Sequence, residues 1–275
     1  MPWSWRSVGT LVRQSSATAT IQPPQKTTTV ANRPMRVAVI SDVHGNEHAL
    51  AAVLEDVDVA SPDAIWCLGD VVGYGPAPNE CCAVLAARTD RCLVGNHDLV
   101  VLGKLDASDF NGDAATAALW TREVLDESSR AFLDPLEPSA EVDGAQLFHA
   151  SPRDPVWDYV LSAEAAYASL VATHAPVVLV GHSHVALGIG LVDTDVRGGS
   201  APAGTELRLD GRWLLNPGSV GQPRDGDPRA AWLLLDTDEK VATFHRVEYP
   251  IELTQAAMRA GGLPEALAAR LALGI

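Results

Sequence analysis

The sequence predicts an α/β fold, in a single domain with two sheets that begins at Met35. Between residues 36 and 94, short continuous apolar runs alternate with amphipathic stretches in the order βαβαβ, a pattern typical of parallel strands joined by helices. Beyond Glu141 the pattern becomes rich in strands and contains a single helical stretch before the last two helices. No segment approaches the ~18 uninterrupted apolar residues that a membrane-spanning helix needs. The chain therefore has the pattern of a globular α/β protein.

Local signals place the elements of the first half. Apolar residues recur after Asn46 at the period of a helix, and Asn46 is suited to be its N-cap. Pro78 fits the first turn of the next helix, where its missing amide hydrogen costs nothing. Residues 105–135 are expected to be mostly helical, with an acidic face. The predicted strands of this half are 36–41, 64–68 and 91–94, and the helix that Pro78 opens is predicted over 78–87.

The second half consists mainly of predicted strands. The aliphatic run from Ala230 to Leu235 suits a buried strand. Two short helices are expected at the end of the chain, separated by Gly261-Gly262, with Pro264 beginning the second of them. The other helix of this half is predicted over about 163–173. The predicted strands are 145–149, 177–180, 187–192, 206–209, 212–215, 230–235 and 241–247.

Residues 1–34 differ in composition from the rest of the chain. They contain ten Ser or Thr, four Pro and four basic residues, and no acidic residue. This composition predicts a disordered N-terminal extension. Leu11 and Val12 are followed at once by Arg13, which interrupts the apolar run that a secretory signal requires. A transit peptide, or a start codon upstream of a true initiator at Met35, are the alternative interpretations.

The charge balance excludes some partners. Acidic residues outnumber basic ones by 35 to 20, so the formal net charge is −15. Neutralisation of phosphates by Lys and Arg dominates nucleic-acid binding, so we expect neither a nucleic-acid-binding surface nor attachment to an anionic membrane. The four cysteines lie close together without a CxxC pair, which favours neither disulfides nor a zinc knuckle, and we predict a cytoplasmic protein. The sequence does not specify an oligomeric state.

Residue types that bind metals follow five of the predicted strands. Residues two apart in an extended segment face the same side, so the pairs Asp42/His44 and His182/His184 are each expected to present two ligands to one cavity. Carboxylate, carboxamide and imidazole together suit a divalent transition ion better than calcium. The five segments, in order, are SDVHGN, GDVV, GNHD, FHAS and GHSH.

This ordered string resembles the calcineurin-like metallophosphoesterase superfamily, and specifically its small bacterial and archaeal phosphodiesterase branch. The segments GDVVGYGPAPNE and NPGSVGQPRDGDPRAAW strengthen the resemblance, which spans Met35 to the C-terminus. It implies a four-layer α/β/β/α sandwich of two mixed sheets, with two metal ions at the carboxyl ends of the strands. It also implies a first metal held by Asp42, His44 and His184, a second held by Asn96, His149 and His182, and a bridge through Asp70.

The resemblance implies a reaction as well. Two adjacent cations would acidify a bridging water, and the resulting hydroxide would attack the phosphorus of a phosphodiester or phosphomonoester. His97, which is not used as a ligand, would protonate the leaving group, and Asp98 would orient it. Mn²⁺ is the metal we expect from the resemblance, with Fe and Zn as alternatives.

Four further residues are candidates for binding the substrate. Arg153 and Arg224 suit a phosphate, because a guanidinium group matches phosphate oxygens in bidentate fashion. Ion pairs with aspartates close to them in the sequence are the alternative. Asn216 and Ser219 follow a predicted strand, where they either bind the substrate or support the site through turn hydrogen bonds.

Three functions remain open at this level. The leading hypothesis is a phosphohydrolase for a small phosphate ester or nucleotide, with a dinucleoside-polyphosphate hydrolase or phosphatase as the alternative specificity. A non-catalytic scaffold on the same fold is a second class, and a regulatory protein that turns a nucleotide over slowly is a third. The retention of every expected ligand together with His97 argues against the scaffold. Region 99–141 is expected to border the cleft and to choose the substrate.

Overall fold

The structure is a computed structural model that describes residues 35–275 except 143 and 193–194. The predicted disordered extension, 1–34, lies outside the described residues. In the described part of the chain, no helix is long and apolar enough to cross a membrane. The first half contains β1 (Arg36–Ile40), α1 (Glu47–Ala60), β2 (Ala64–Cys67), α2 (Pro78–Arg88), β3 (Arg91–Cys92), α3 (Asn96–Leu102), α4 (Gly112–Val124) and α5 (Glu127–Leu133).

The second half consists mainly of strands, as expected. Its elements are β4 (Ser139–Val142), β5 (Ala145–Phe148), α6 (Ala163–Val171), β6 (Val177–Leu179), β7 (Leu187–Val192), β8 (Asp195–Ser200), β9 (Glu206–Arg208), β10 (Arg212–Asn216), β11 (Ala230–Asp236), β12 (Val241–Val247), α7 (Ile251–Ala260) and α8 (Glu265–Leu271).

Local sequence signals correctly located the starts of α1 and α2. The side chain of Asn46 accepts a hydrogen bond from the amide of Ala49, as an N-cap does, and Pro78 is the first residue of α2. The sequence did not reveal α3, β4 or β8. The strands β4 and β8 are edge strands with mostly exposed or half-buried residues, so they carry no apolar run that could indicate them.

The strands form two six-stranded mixed sheets. The first sheet has the order β3-β2-β1-β11-β12-β9, and the second has the order β4-β5-β6-β10-β7-β8. Parallel pairing joins β1 to β2 and β2 to β3 in the first sheet, and β5, β6 and β10 in the second. The remaining pairs are antiparallel. The loops after β1, β2 and β3 therefore leave one edge of the first sheet together, and those after β5 and β6 leave one edge of the second.

Alternating side chains on β1 show how the layers are built. Val37 and Val39 point into the core between the two sheets, where Leu147 and Leu215 of the second sheet lie. Ala38 and Ile40 point to the opposite face and pack against helices such as α1. On the outer face of the second sheet, Leu170 of α6 packs against β6 and β10. The expected four-layer α/β/β/α sandwich is thus confirmed.

Candidate metal centre

The seven predicted ligands meet at the carboxyl ends of the strands. Asp42 and His44 follow β1, Asp70 follows β2, Asn96 begins α3 just after β3, His149 follows β5, and His182 and His184 follow β6. All seven are buried, with at most 3% of any residue exposed. The ligand atoms of six of them form two groups that share Asp70, and within each group the atoms lie within 4.8 Å of one another. The groups are Asp42, His44, Asp70 and His184, and Asp70, His149 and His182.

The backbone is left-handed and not extended at five of these seven residues. Asp42, His44, Asp70, His182 and His184 all have φ between 50° and 62°. Non-glycine residues seldom adopt this conformation, because it costs about 1–3 kcal/mol per residue. Where it does occur, it is concentrated at functional sites. The expectation that each pair lies on an extended segment is therefore wrong. Asp42 and His44 nevertheless join one group, as expected, whereas His182 and His184 join different groups.

Backbone carbonyls orient three of the imidazoles. The Nδ1 atoms of His44, His149 and His184 lie 3.2, 2.9 and 2.6 Å from the carbonyl oxygens of Val72, Leu68 and Gln222. A carbonyl only accepts, so each Nδ1 carries the hydrogen and each Nε2 keeps its lone pair. The Nε2 atoms of His44 and His184 lie only 3.0 Å apart. Two lone pairs at this distance cannot bond to each other, but both can bind one cation placed between them.

Asp70 lies between the two groups. Its Oδ1 accepts the backbone amide of His97 at 2.9 Å, whereas its Oδ2 is buried and has no hydrogen-bond partner among the described residues. That oxygen lies 3.6 Å from Nε2 of His44 and 3.6 Å from Nε2 of His149. The side-chain amide of Asn96 lies beside the second group, with its Oδ1 3.0 Å from Nε2 of His149. Oδ2 of Asp70 thus lacks a hydrogen-bond partner among the described residues and faces both groups of ligands.

The electrostatics of the cavity fit cations. Burial, followed by the charges of Asp98 and Asp42, raises the pKa of Asp70 well above its usual value. Burial lowers the pKa of His149, and it lowers that of His182 to about 3, so these imidazoles are neutral at neutral pH as metal ligation requires. A divalent cation would supply the positive charge that the buried carboxylates need. The residues present therefore fit a pair of divalent cations.

Comparison with known proteins agrees with this geometry. A model of the calcineurin-like phosphoesterase superfamily domain matches residues 35–240. The chain belongs to this superfamily. Its members are metallophosphoesterases, which are hydrolases of phosphate esters, and the two Asp/His groups indicate a dinuclear site for divalent metals in this phosphoesterase.

Similar proteins cover most of the chain. An uncharacterized protein of Methanocaldococcus jannaschii is 38% identical over 244 residues, which are 86% of this chain and 98% of that protein. The crystal structure of a metallophosphoesterase from Sphaerobacter thermophilus is 41% identical with a TM-score of 0.80, and the match covers 88% of this chain and all of that one. A symmetrical bis(5'-nucleosyl)-tetraphosphatase of an Enterobacter species is 30% identical over 137 residues, 48% of each chain.

Asp98 does not orient His97 in this phosphoesterase. Its carboxylate accepts the backbone amides of Gly95, Val71 and Val72 at 2.9–3.2 Å and makes no hydrogen bond to His97, which is likewise a described residue. The third residue of a short helix is well placed to satisfy the amides at its start, and Asp98 does so. Burial nevertheless raises its pKa to about 6. Asp98 therefore ties the loop after β2 to the start of α3.

Aromatic rings position His97 instead. Its ring lies 4.3 Å from the Tyr74 ring, 4.3 Å from the Phe110 ring, which it stacks on, and 4.8 Å from His44. Its Nδ1 is buried and has no partner among the described residues. The backbone amide of His97 donates to Oδ1 of Asp70, so the shared carboxylate anchors the residue that carries this imidazole.

The two candidate arginines have different surroundings. Arg153 forms an ion pair with Asp158 at 2.5 Å, which is the alternative that the sequence left open. The partner is not the aspartate that directly follows Arg153 in the sequence. Arg224 donates from Nε and Nη2 to Oε1 of Gln222 at 3.2 and 2.7 Å, and its guanidinium lies 5.6 Å from the Tyr74 ring centroid. After burial, the charge of Arg224 is the largest cause that lowers the pKa of His184. The backbone amide of Arg224 donates to the carbonyl of His184 at 3.1 Å, so Arg224 lies beside the metal centre.

The aspartates that follow Arg224 in the sequence have other partners. Asp225 pairs with Arg246, and Asp227 pairs with Arg229 at 2.6 Å. Among the described residues, no carboxylate side chain lies within ion-pair distance of Arg224. Its guanidinium is thus available for an anionic ligand.

Asn216 and Ser219 support the loops and do not line the cleft. Both are completely buried and their side chains are hydrogen-bonded within the chain, which favours the supporting role over substrate binding. The Asn216 amide donates to the carbonyl of Gly181 at 2.7 Å and to the hydroxyl of Ser183 at 3.0 Å. The Ser219 hydroxyl donates to the carbonyl of Asp42 at 2.8 Å. These hydrogen bonds fix the ligand-bearing loops after β6 and β1. This is the supporting role that the turn pattern also allowed.

Sequence reasoning missed Gln222 and Tyr159 as residues of the site. Gln222 binds Arg224 through its side chain and His184 through its carbonyl. The Tyr159 ring lies 4.0 Å from the His182 ring and is half exposed. Gln222 lies only two residues before Arg224 in NPGSVGQPRDGD, which is a usable signal. Tyr159 sits in a loop without any pattern, so no local signal could have identified it.

Proposed function

We propose that this phosphoesterase uses two divalent metal ions to hydrolyse a phosphodiester or phosphomonoester. The observation that carries this proposal is Oδ2 of Asp70, a buried oxygen with no partner among the described residues, which faces Nε2 of His44 and of His149 at equal distances of 3.6 Å. A shared carboxylate offsets the repulsion between two adjacent cations. The proposed ligands are Asp42, His44 and His184 for the first ion, Asn96, His149 and His182 for the second, and Asp70 for both.

When bound, the two ions supply Lewis acidity at the phosphoryl group and lower the pKa of a water molecule. The chain holds them rigidly, because carbonyls fix the rings of His44, His149 and His184 and the loops are tied by Asn216 and Ser219. We propose Mn²⁺ as the metal, with Fe and Zn as alternatives, since protein ligands seldom select among these ions by affinity alone.

Arg224 is the residue that we propose to bind a phosphate oxygen. Gln222 holds its Nε and Nη2, so the guanidinium is pre-oriented beside His184, and it lacks a carboxylate partner among the described residues. An arginine fixed in this way loses little conformational entropy when an oxyanion binds. Arg153 is less suited to this role, because Asp158 already occupies its guanidinium.

His97 is proposed to protonate the leaving group. Its ring is held in place by Tyr74 and Phe110, and its backbone amide is anchored by the shared carboxylate of Asp70. A proton donor at this place matters most when the leaving oxygen is a poor leaving group. Asp98 contributes by fixing the backbone around His97 and not by contacting its ring.

A second candidate is the hydrolysis of dinucleoside polyphosphates. It is supported by the 30% identity over 137 residues to the symmetrical bis(5'-nucleosyl)-tetraphosphatase of Enterobacter. A non-catalytic scaffold is less well supported, because all predicted ligand side chains converge. We also propose a reducing cytoplasmic environment, since all four cysteines are free thiols.

One substrate screen tests the proposed function. Full-length protein loaded with Mn²⁺ is assayed against bis-p-nitrophenyl phosphate, p-nitrophenyl phosphate, a panel of nucleotides and a dinucleoside tetraphosphate. We expect hydrolysis that a chelator abolishes and that added metal restores. Arg224→Ala should raise KM, whereas Arg88→Ala, which removes an arginine from an exposed ion pair with Asp58, should not. Turnover that survives complete metal removal would show that the proposal is wrong.

A further inference from the structure

Aromatic side chains surround the mouth of the metal centre. The ring of Phe110, from the segment between α3 and α4, stacks on His97 at 4.3 Å and contacts Trp157 edge-on at 5.8 Å. Trp157 and Tyr159 both lie on the loop between β5 and α6, which begins at His149. We call Phe110, Trp157 and Tyr159 the aromatic rim.

The residues around the rim differ in their exposure. His97 is 5% exposed, Phe110 and Trp157 are partly buried, and Tyr159 is 48% exposed although one side of its ring lies against His182. Large aromatic side chains are usually buried in a core, and a cluster left open beside a polar cavity commonly marks a binding site. Ring surface is thus presented to a ligand beside the metal centre.

We infer that the aromatic rim holds the base of a nucleoside phosphate ester, an inference that rests on the proposed function and names its substrate class. Bases stack on aromatic side chains, and each stack contributes to affinity with little dependence on which base is present. Arg224 would hold the phosphate of the same ligand.

The order of the rings favours a base over a simple aryl group. In a phenyl ester the ring is attached directly to the ester oxygen, which would place it near His97. In a nucleotide the ribose carries the base farther out, where Trp157 lies one ring beyond Phe110.

Two ligands that differ only in the base test this inference. Titration calorimetry with full-length Mn²⁺-loaded protein compares AMP with ribose 5-phosphate, at a temperature where assay of released phosphate shows that neither ligand is hydrolysed during the titration. Stacking of one base predicts that AMP binds about fivefold to a hundredfold more tightly. Trp157→Ala and Tyr159→Ala should each reduce this ratio, and Trp157→Phe and Tyr159→Phe should retain most of it. Tyr167→Ala, which removes a similarly exposed ring on α6, is the control and should leave the ratio unchanged.

The outcomes separate this inference from the proposed function. If AMP and ribose 5-phosphate bind equally well, or if neither alanine variant lowers the ratio, the rim does not hold a base, while the phosphate site stands because ribose 5-phosphate still binds. If neither ligand binds, both the phosphate site and the base site are wrong. Phenyl phosphate is a third ligand in this experiment. If it binds as tightly as AMP, the rim holds a simple aryl group and the inference of a base site is wrong.

Discussion

Asp70 and His97 are linked through the backbone: Oδ1 of Asp70 accepts the amide of His97 at 2.9 Å, and this bond leaves Oδ2 as the oxygen that faces both ligand groups. The carboxylate that is proposed to bridge the metals therefore also anchors the start of the helix that carries the proposed proton donor. A change at Asp70 is expected to disturb both parts of the site at once.

Asp70→Asn should lose metal and turnover together. The proposed bridge serves both ions, whereas every other proposed ligand serves one. Loss of residues that merely orient a metal ligand costs about 10–100-fold in affinity, so loss of the bridge should cost at least that much. Elemental analysis and turnover measure the two effects. Asp134→Asn, a change at an exposed carboxylate on the surface, should alter neither. Full metal content in Asp70→Asn would contradict the bridging role.

His97→Ala should slow some substrates more than others. General acid catalysis contributes ~10²–10⁴ in rate, and it matters most when the leaving alkoxide is poor. Hydrolysis of an alkyl or nucleoside ester should therefore fall by that order, while a p-nitrophenyl ester should be affected much less. Steady-state kinetics on both substrates, with metal content as a control, measure this difference. His174→Ala, at an exposed histidine, should change neither rate.

An equal loss on both substrates in His97→Ala would point to positioning of the substrate and not to proton transfer. Loss of bound metal would instead make His97 a ligand.

Gly95→Ala should disrupt the centre through packing alone. A methyl group at Gly95 would overlap the carboxylate and the backbone of Asp70, neither of which can move without displacing a ligand. Overpacking of this kind costs about 1–3 kcal/mol of unfolding free energy. Gly199→Ala is the matched control, because a methyl group there meets no atom within 4 Å. Thermal unfolding and metal content are the measurements, and equal behaviour of the two variants would show that the loop can relax.

Removal of residues 1–34 should leave the domain intact. Their composition has no apolar period with which to pack on a core, so a chain that begins at Met35 should keep its melting temperature and its turnover. Thermal unfolding and kinetics of the shortened chain test this expectation. A large fall in melting temperature would show that the segment contributes to the fold.

The sequence by itself determined the elements whose signals are local. Asn46 marks the start of α1 because a side chain three residues before an amide can cap it, and Pro78 marks α2 because its fixed φ suits a first turn. The metal-ligand residues could also be recognised in the sequence, since Asp, Asn and His follow successive strands and parallel strands end at one edge of a sheet. The resemblance then specified the two mixed sheets and the family, both of which the comparison confirms.

Only the tertiary structure decided the roles that depend on contacts between distant segments. Asp98 binds the amides of Val71 and Val72 because β2 and β3 bring these loops together, and adjacency to His97 in the sequence says nothing about this. Asp158 occupies Arg153, whereas Gln222 leaves Arg224 available. The left-handed backbone at the ligands likewise costs energy that only the surrounding packing can offset, so no local propensity could have predicted it.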